Sequence, residues 1–189
     1  MTKFIVIYDS CILHPPTFRT LFIELAMTEL FQAKWTNEIN QEWKNSVLKK
    51  NPNITQEHVD KVEKDLGVAV PNYLVTGYEN LIHSISDMPD INDRHVLAAA
   101  IRCNAEAIVT QNLKDFPKEI LSKYDIEALS ADTFISLQFG FSKEKVISAI
   151  KESRKWVRSK PSPEEYLQSL KKKGLTKTVA FLRDWIDFI

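Results

Sequence analysis

The chain has 189 residues, 44% of them hydrophobic, with 25 Lys and Arg set against 25 Asp and Glu. Apolar material in that amount suits one ordinary domain with a small appendage, and it excludes intrinsic disorder as the main state. Only 4 glycines occur, none in a GxGxxG or GxxxxGK setting, which argues against a P-loop ATPase or a Rossmann dehydrogenase.

No apolar run approaches the roughly 18 to 20 residues that span a bilayer, and the first residues lack a basic region, a long apolar stretch and a small-residue cleavage site. A soluble, cytoplasmic protein is expected. Cys11 and Cys103 are too few for a disulfide scaffold and are expected as buried thiols. Trp35, Trp43, Trp156 and Trp185 are expected as packing residues.

The neutral total hides an uneven distribution. Residues 1 to 140 sum to −6, residues 141 to 177 to +7 and the last twelve residues to −1. A basic segment attached to an acidic body suits attraction of a polyanion toward a site that also needs cations. Lysines that merely solvate helix faces would produce the same count.

Phe4-Ile5-Val6-Ile7-Tyr8 reads as a strand buried on both faces and closed by Asp9. Phe18, Leu21, Phe22 and Leu25 recur with helical period. Ala33-Lys34-Trp35 follows as a short strand. Thr36 or Asn37 then caps a helix marked by Ile39, Trp43 and Val47. Another helix is expected from Thr55, and Tyr73-Leu74-Val75 is a candidate edge strand.

Val96, Ala99, Ala100 and Cys103 define one face of a helix with Asn104 as its stop. Ala107 to Thr110 is the next buried strand. A Pro117-initiated helix to about Tyr124, a strand at Ile126 to Leu129 and a helix at Asp132 to Phe139 complete the pattern. Strands alternating with helices predict right-handed βαβ units and a parallel sheet covered on both faces.

The texture changes after Gly140. Ser142 caps a helix carrying Val146, Ile147 and Ile150. Ser162 and Glu165 form a capping box with Pro163 at the first helical position. Gly174 ends that helix, and Thr176 starts the last one. The expected division is residues 1–140 as the main domain and 141–189 as a helical extension docked on it.

In an open parallel sheet, ligands bind beyond the carboxyl ends of the strands where strand order reverses. Asp9 ends the first strand, and Asp115 lies just past the Ala107 to Thr110 strand. Asp93 opens the helix that feeds that strand, and Glu42 projects from the helix after the second. Converging carboxylates repel one another strongly unless cations lie among them. Oxygen donors without a His or Cys pattern point to Mg²⁺ or Mn²⁺ rather than zinc. Each acid also has a structural explanation, as a cap or a solvated helix position. Asp9 is the hardest to explain so, because an acid that closes a buried strand has little structural purpose.

Asp9-Ser10-Cys11-Ile12-Leu13, Glu42, Asp93-Arg94-His95-Val96-Leu97-Ala98-Ala99-Ala100 and Ile108-Val109-Thr110-Gln111-Asn112-Leu113-Lys114-Asp115-Phe116-Pro117 together resemble the ordered motifs of PIN-domain nucleases. The last two blocks are close to the VapC-like toxin branch. The resemblance spans residues 4 to 135. It implies a PIN-like α/β/α sandwich and a metal-dependent endoribonuclease for single-stranded or structured RNA. It also implies a small antitoxin partner, with the homodimer as an open possibility.

On this resemblance Asp9, Glu42, Asp93 and Asp115 match the acidic quartet that holds Mg²⁺ or Mn²⁺ and acts in catalysis. Ser10 and Thr110 match residues that orient it. Asn112 stands where many members carry an acid, which here comes at Asp115, and Asp90 is an additional acid beside the quartet. A catalytically weak PIN-like interaction module is the main alternative. A haloacid-dehalogenase-like phosphatase ranks below it, because Cys11 stands where that chemistry wants a second aspartate. A receiver domain fails for want of an acidic pair on the first strand.

Overall fold

The computed structural model describes residues 4–189. Strand β1 (Ile5–Tyr8) runs into the short helix α1 (Ser10–Leu13) and then α2 (Pro16–Met27), which returns the chain to β2 (Gln32–Lys34). Helices α3 (Asn37–Lys50), α4 (Gln56–Ala69), α5 (Glu79–Ile82) and α6 (Arg94–Arg102) lead to β3 (Ala107–Val109). Helix α7 (Lys118–Leu121) precedes β4 (Glu127–Leu129). Four further helices follow: α8 (Ala131–Phe141), α9 (Lys143–Lys155), α10 (Pro163–Lys172) and α11 (Thr176–Leu182).

The four strands form one sheet in the order β2-β1-β3-β4, every neighbouring pair parallel. The crossover from β1 to β2 and the crossover from β2 to β3 run in opposite senses along the sheet. Right-handed connections therefore put α2 and the α3–α6 segment on opposite faces. The result is the PIN-like α/β/α arrangement anticipated above. Tyr8 pairs with Val109 in the β1–β3 register, and the Asp9 N–H continues the ladder to the Val109 carbonyl at 3.1 Å. Asp9 and Thr110 thus leave the sheet side by side where strand order reverses.

An aromatic layer fixes the α2 and α8 side. Tyr8 meets Phe22 of α2 edge-on, with ring centroids 5.3 Å apart, and lies edge-on to Phe134 of α8 at 6.4 Å. Its hydroxyl donates to the Phe22 carbonyl at 3.0 Å, so burying this phenol leaves no unpaired polar group. The α3–α4 side is tied by Asn40, whose Oδ1 accepts from both Trp35 Nε1 and Trp43 Nε1, and by Lys44, which pairs with Asp60 and Glu63 of α4.

Helix starts follow the expected chemistry. Thr36, Thr55, Ser130 and Ser142 each accept an N–H of the first turn, and Ser162 with Glu165 closes a reciprocal capping box. Three stretches differ from expectation. Residues 73–75 form no strand: a single parallel bridge joins Leu74 to Trp35. Left-handed Asn72 (φ 63°) and Gly77 (φ 73°) turn the chain on either side and leave no length for a ladder.

The Pro117 helix ends at Leu121 and tightens into a 3₁₀ turn, Ser122–Tyr124, followed by left-handed Asp125, which aims the chain into β4. Asp93 closes a 3₁₀ turn, Ile91–Asp93, and stands at the N-cap of α6 rather than within its first turn. Cys11 and Cys103 are half-buried rather than sealed in the core. Trp35 and Trp43 are fully buried, whereas Trp156 is 71% exposed and holds Glu24 through its indole N–H at 2.9 Å.

The apolar cluster continues without a break from β1 into the C-terminal helices, taking in Val146, Ile150, Tyr166, Leu170 and Leu182. Helix α9 packs along α2 and α8. Asp132, in the first turn of α8, makes the most polar of these joints. Its Oδ1 accepts from the Thr178 N–H at 2.8 Å, and its Oδ2 accepts from the Lys177 N–H at 2.8 Å and the Thr176 hydroxyl at 3.3 Å.

Burial works against the Asp132 carboxylate. The donated hydrogen bonds, from the Thr178 and Lys177 N–H groups first, outweigh it and hold the pKa below the ordinary value. This stabilisation is therefore fully present above the unfolded value of about 3.9 and is lost as pH falls through the lowered folded value. Replacing Asp132 with Ala should cost about 2 to 4 kcal/mol in urea unfolding at pH 7. The gap between wild type and Asp132→Ala should narrow as acid is added; an unchanged gap down to pH 3 would contradict this assignment.

Candidate functional site

The site is built outward from Asp9. This residue is 4% exposed and its backbone is extended at the turn from β1 into α1. Three side chains hold its carboxylate. The Thr110 hydroxyl donates to Oδ2 at 2.6 Å, the Cys11 thiol donates to the same oxygen at 3.0 Å, and the Ser10 hydroxyl reaches Oδ1 at 3.4 Å. Burial first, and then the Asp9 charge, push the Cys11 pKa up to about 12, so the thiol keeps its proton and serves as a donor. The Thr110 hydroxyl also accepts the Asn112 N–H at 3.0 Å, which shapes the loop after β3.

Asp93 is the electrostatic centre. Burial, then the charges of Asp9, Asp90, Asp115 and Glu42, push its carboxyl up to about 6. Arg94 turns away and donates to the Ser86 carbonyl at 2.9 Å. Residues from four separate stretches are thus within electrostatic reach of one carboxyl. Asp115 is half-buried in the 3₁₀ turn Leu113–Asp115. Asp90 caps its own turn, with Oδ1 accepting from the Asn92 N–H at 2.8 Å. The Asn112 side chain is exposed and carries no hydrogen bond of its own among the described residues.

His95 is the member that reading along the chain undervalues. It is 4% exposed, with Nε2 at 2.9 Å from Glu42 Oε1 and Nδ1 at 3.5 Å from Glu38 Oε2. Burial opposes its protonation, but the Glu42 hydrogen bond and the charges of Glu42, Glu38 and Asp9 outweigh it and raise the pKa. The imidazole therefore fixes the Glu42 side chain, which would otherwise swing freely on an exposed helix face. Cys11, expected only as a buried thiol, is a second such member. Its only signal in the chain was its place two residues after Asp9, whereas its contacts with Thr110 and Gln111 need the β1–β3 pairing.

The donor set suits a hard divalent ion: carboxylate oxygens in mutual repulsion, with His95 against Glu42 as the one basic partner described among them. The carboxylates approach without closing. Among the described residues no three His, Cys, Asp or Glu side chains form a ready-made ion cage. A concavity of about 640 Å³ lies beside β4 with Leu113, Phe116, Pro117, Leu121 and Ile126 in its wall. It touches the Asp115 turn but not Asp9, Glu42 or Asp93.

Comparison with known proteins finds similarity over part of the chain. Residues 131–184 match the family model described as the VapC50 C-terminal domain. A curated relative from Mycobacterium tuberculosis (strain ATCC 25618 / H37Rv), named "Putative ribonuclease VapC50", is 45% identical over 80 residues. The match takes in 40% of this chain and 46% of that relative, so the chain spans under half the relative's length. Over these stretches the chain is similar to VapC50-type proteins. No solved structure matches significantly. No helix among the described residues is long and apolar enough to cross a membrane.

The acidic centre has a measurable consequence for stability. A carboxyl whose folded pKa lies above the unfolded one opposes folding when charged. That cost grows from about pH 4 to pH 6 and is complete above it. In chelator at pH 7.5, Asp93→Asn should be more stable than wild type by about 1 to 2 kcal/mol, after solvent screening of the half-buried group. The difference should vanish near pH 4. Equal melting temperatures at both pH values would show that the five acids do not act on one another.

Proposed function

We propose that this protein is a divalent-metal-dependent endoribonuclease that hydrolyses phosphodiester bonds of single-stranded or structured RNA, as the toxin of a type II toxin–antitoxin pair. The observation that carries this reading is the Asp93 carboxyl, raised to about 6 by burial and by four other acids gathered at the sheet's switch point. The ribonuclease name of the VapC50 relative supports the reaction class, and its VapC name supports a small antitoxin as partner. Within the chain we assign the nuclease part to residues 1–140 and the helical extension to 141–189.

A phosphodiester resists attack because its own charge repels the nucleophile. Mg²⁺ or Mn²⁺, when bound, would supply the chemistry that answers this, screening that charge and stabilising the leaving oxygen. Asp9 and Asp93 are the residues that would hold the principal ion, with Asp115 completing its surroundings. Thr110, Ser10 and Cys11 fix the Asp9 oxygens in one orientation. Glu42, held by His95, orients the attacking water and takes its proton. Asn112 and Asp90 stand on the rim, where the former reaches the scissile phosphate and the latter orders solvent. The open spacing of the carboxylates favours one rival, a catalytically weak interaction module built on the same fold.

Purified protein should cleave RNA with Mg²⁺ or Mn²⁺ and stop when EDTA is added. Asp9→Asn should lose more than about 100-fold in rate while keeping a native melting profile, a larger loss than removal of an outer partner causes. Thr110→Val, which removes such a partner, should lose about 10- to 100-fold. Undiminished cleavage by Asp9→Asn would end the assignment, and absence of cleavage by wild type would favour the interaction module.

A further inference from the structure

We propose that the turn spanning residues 171–177 is a docking surface for the phosphate backbone of single-stranded RNA, placed to feed the carboxylate site. This inference rests on the nuclease reading and adds the surface by which the substrate is held. Lys171, Lys172, Lys173 and Lys177 concentrate four positive charges in seven residues, all four exposed. None has a carboxylate partner among the described residues, unlike Lys44, Lys123, Lys155 and Arg183, each of which is paired. Cations in the last turn of α10 also suit its helix dipole. That explanation stops at Lys172, and Lys173 and Lys177 lie beyond it.

The turn is fixed in place. Gly174 takes φ +90°, a reversal that a side chain would strain. Leu175 is fully buried and anchors the chain from below, and Asp132 grips residues 176–178 from α8. The same joint leads to the acids. The Ala131 N–H donates to Gln111 Oε1 at 3.4 Å, and the Gln111 N–H donates to Cys11 Sγ at 3.1 Å. Gln111 follows Thr110, whose hydroxyl holds Asp9. The lysines therefore stand on the carboxyl edge of the sheet, at the side of the switch point nearest β4.

The charge balance gives that position its purpose. An acidic body of net −6 over residues 1–140 repels RNA from the site where its phosphate must arrive. A pinned row of unpaired lysines on the same edge reverses the sign of the local field and holds neighbouring phosphates. Each phosphate neutralised on a single strand contributes about −0.7 to the slope of log affinity against log salt.

The test uses the full chain carrying Asp9→Asn, in EDTA, with a short labelled oligouridylate read by fluorescence anisotropy across a salt series. Replacing Lys171, Lys172, Lys173 and Lys177 together with Ala should flatten the salt slope by about 2 to 3 and weaken binding at low salt at least about tenfold. The same four positions changed to Arg should retain both. A control with Lys49, Lys61, Lys64 and Lys143 changed to Ala carries the same charge loss and should retain most of the affinity. Equal loss in the two Ala variants, or none in either, overturns the docking surface.

Lysine-dependent capture of oligoglutamate without capture of RNA also overturns it and makes the turn a seat for an acidic protein segment. If wild type cleaves RNA but binding ignores these lysines, the docking surface alone fails. If binding depends on them but wild type cleaves nothing, the nuclease reading alone fails.

Discussion

Everything at the site depends on the pairing of β1 with β3. Parallel strands can leave a sheet together only when their register brings their ends level, and Tyr8 opposite Val109 does this. Asp9 and Thr110 then sit close enough for a 2.6 Å hydrogen bond between residues 101 positions apart. Strand order also reverses here, so neither crossover covers the gap, and loops from both sides of the sheet reach it. Slipping the register by one residue would turn Tyr8 off the aromatic layer and Asp9 off the edge at once. Core packing and site geometry are therefore held by the same constraint.

Around that pairing the fold concentrates acidic charge that only His95, against Glu42, partly offsets. Asp93 sits at the head of α6, and Asp115 in a tight turn after β3, while α3 brings Glu42 against the buried His95. A protein selected only for stability would place cations among these acids or remove them. Local instability of this kind, together with the three donors held on Asp9, is what the proposed chemistry draws on. The half-buried Cys11 fits the same description, since its retained proton supplies a further donor to Asp9 rather than a nucleophile.

The C-terminal helices complete the arrangement. They share the apolar cluster of the sheet domain, and Asp132 links them to α8 through three donors. The family match from residue 131 to 184 begins at α8, ahead of the composition change after Gly140. A basic segment joined at this point shares one edge of the sheet with the acids. Opposite charges thus lie side by side on a surface whose total charge is zero.

Much of this architecture was legible in the chain. The apolar run from Phe4 to Tyr8, the helical period of Phe18 to Leu25 and the caps at Thr36, Thr55, Ser142 and Ser162 are local properties, written in neighbouring residues by sterics and backbone hydrogen bonding. The acids Asp9, Glu42, Asp93 and Asp115 could be named from the ordered motifs that hold them, at a strand end, within α3, at the head of α6 and in the turn after β3.

Other features depended on distant contacts. The single bridge at Leu74, the exposure of Trp156 and the break after Leu121 follow from how much room the packed chain leaves at those points. The hold of His95 on Glu42 spans 53 positions and that of Cys11 on Gln111 spans 100. Neither spacing has a period that a strand or helix would reveal. Such partners meet because folding removes the distance between them, and no stretch of residues records that distance in advance.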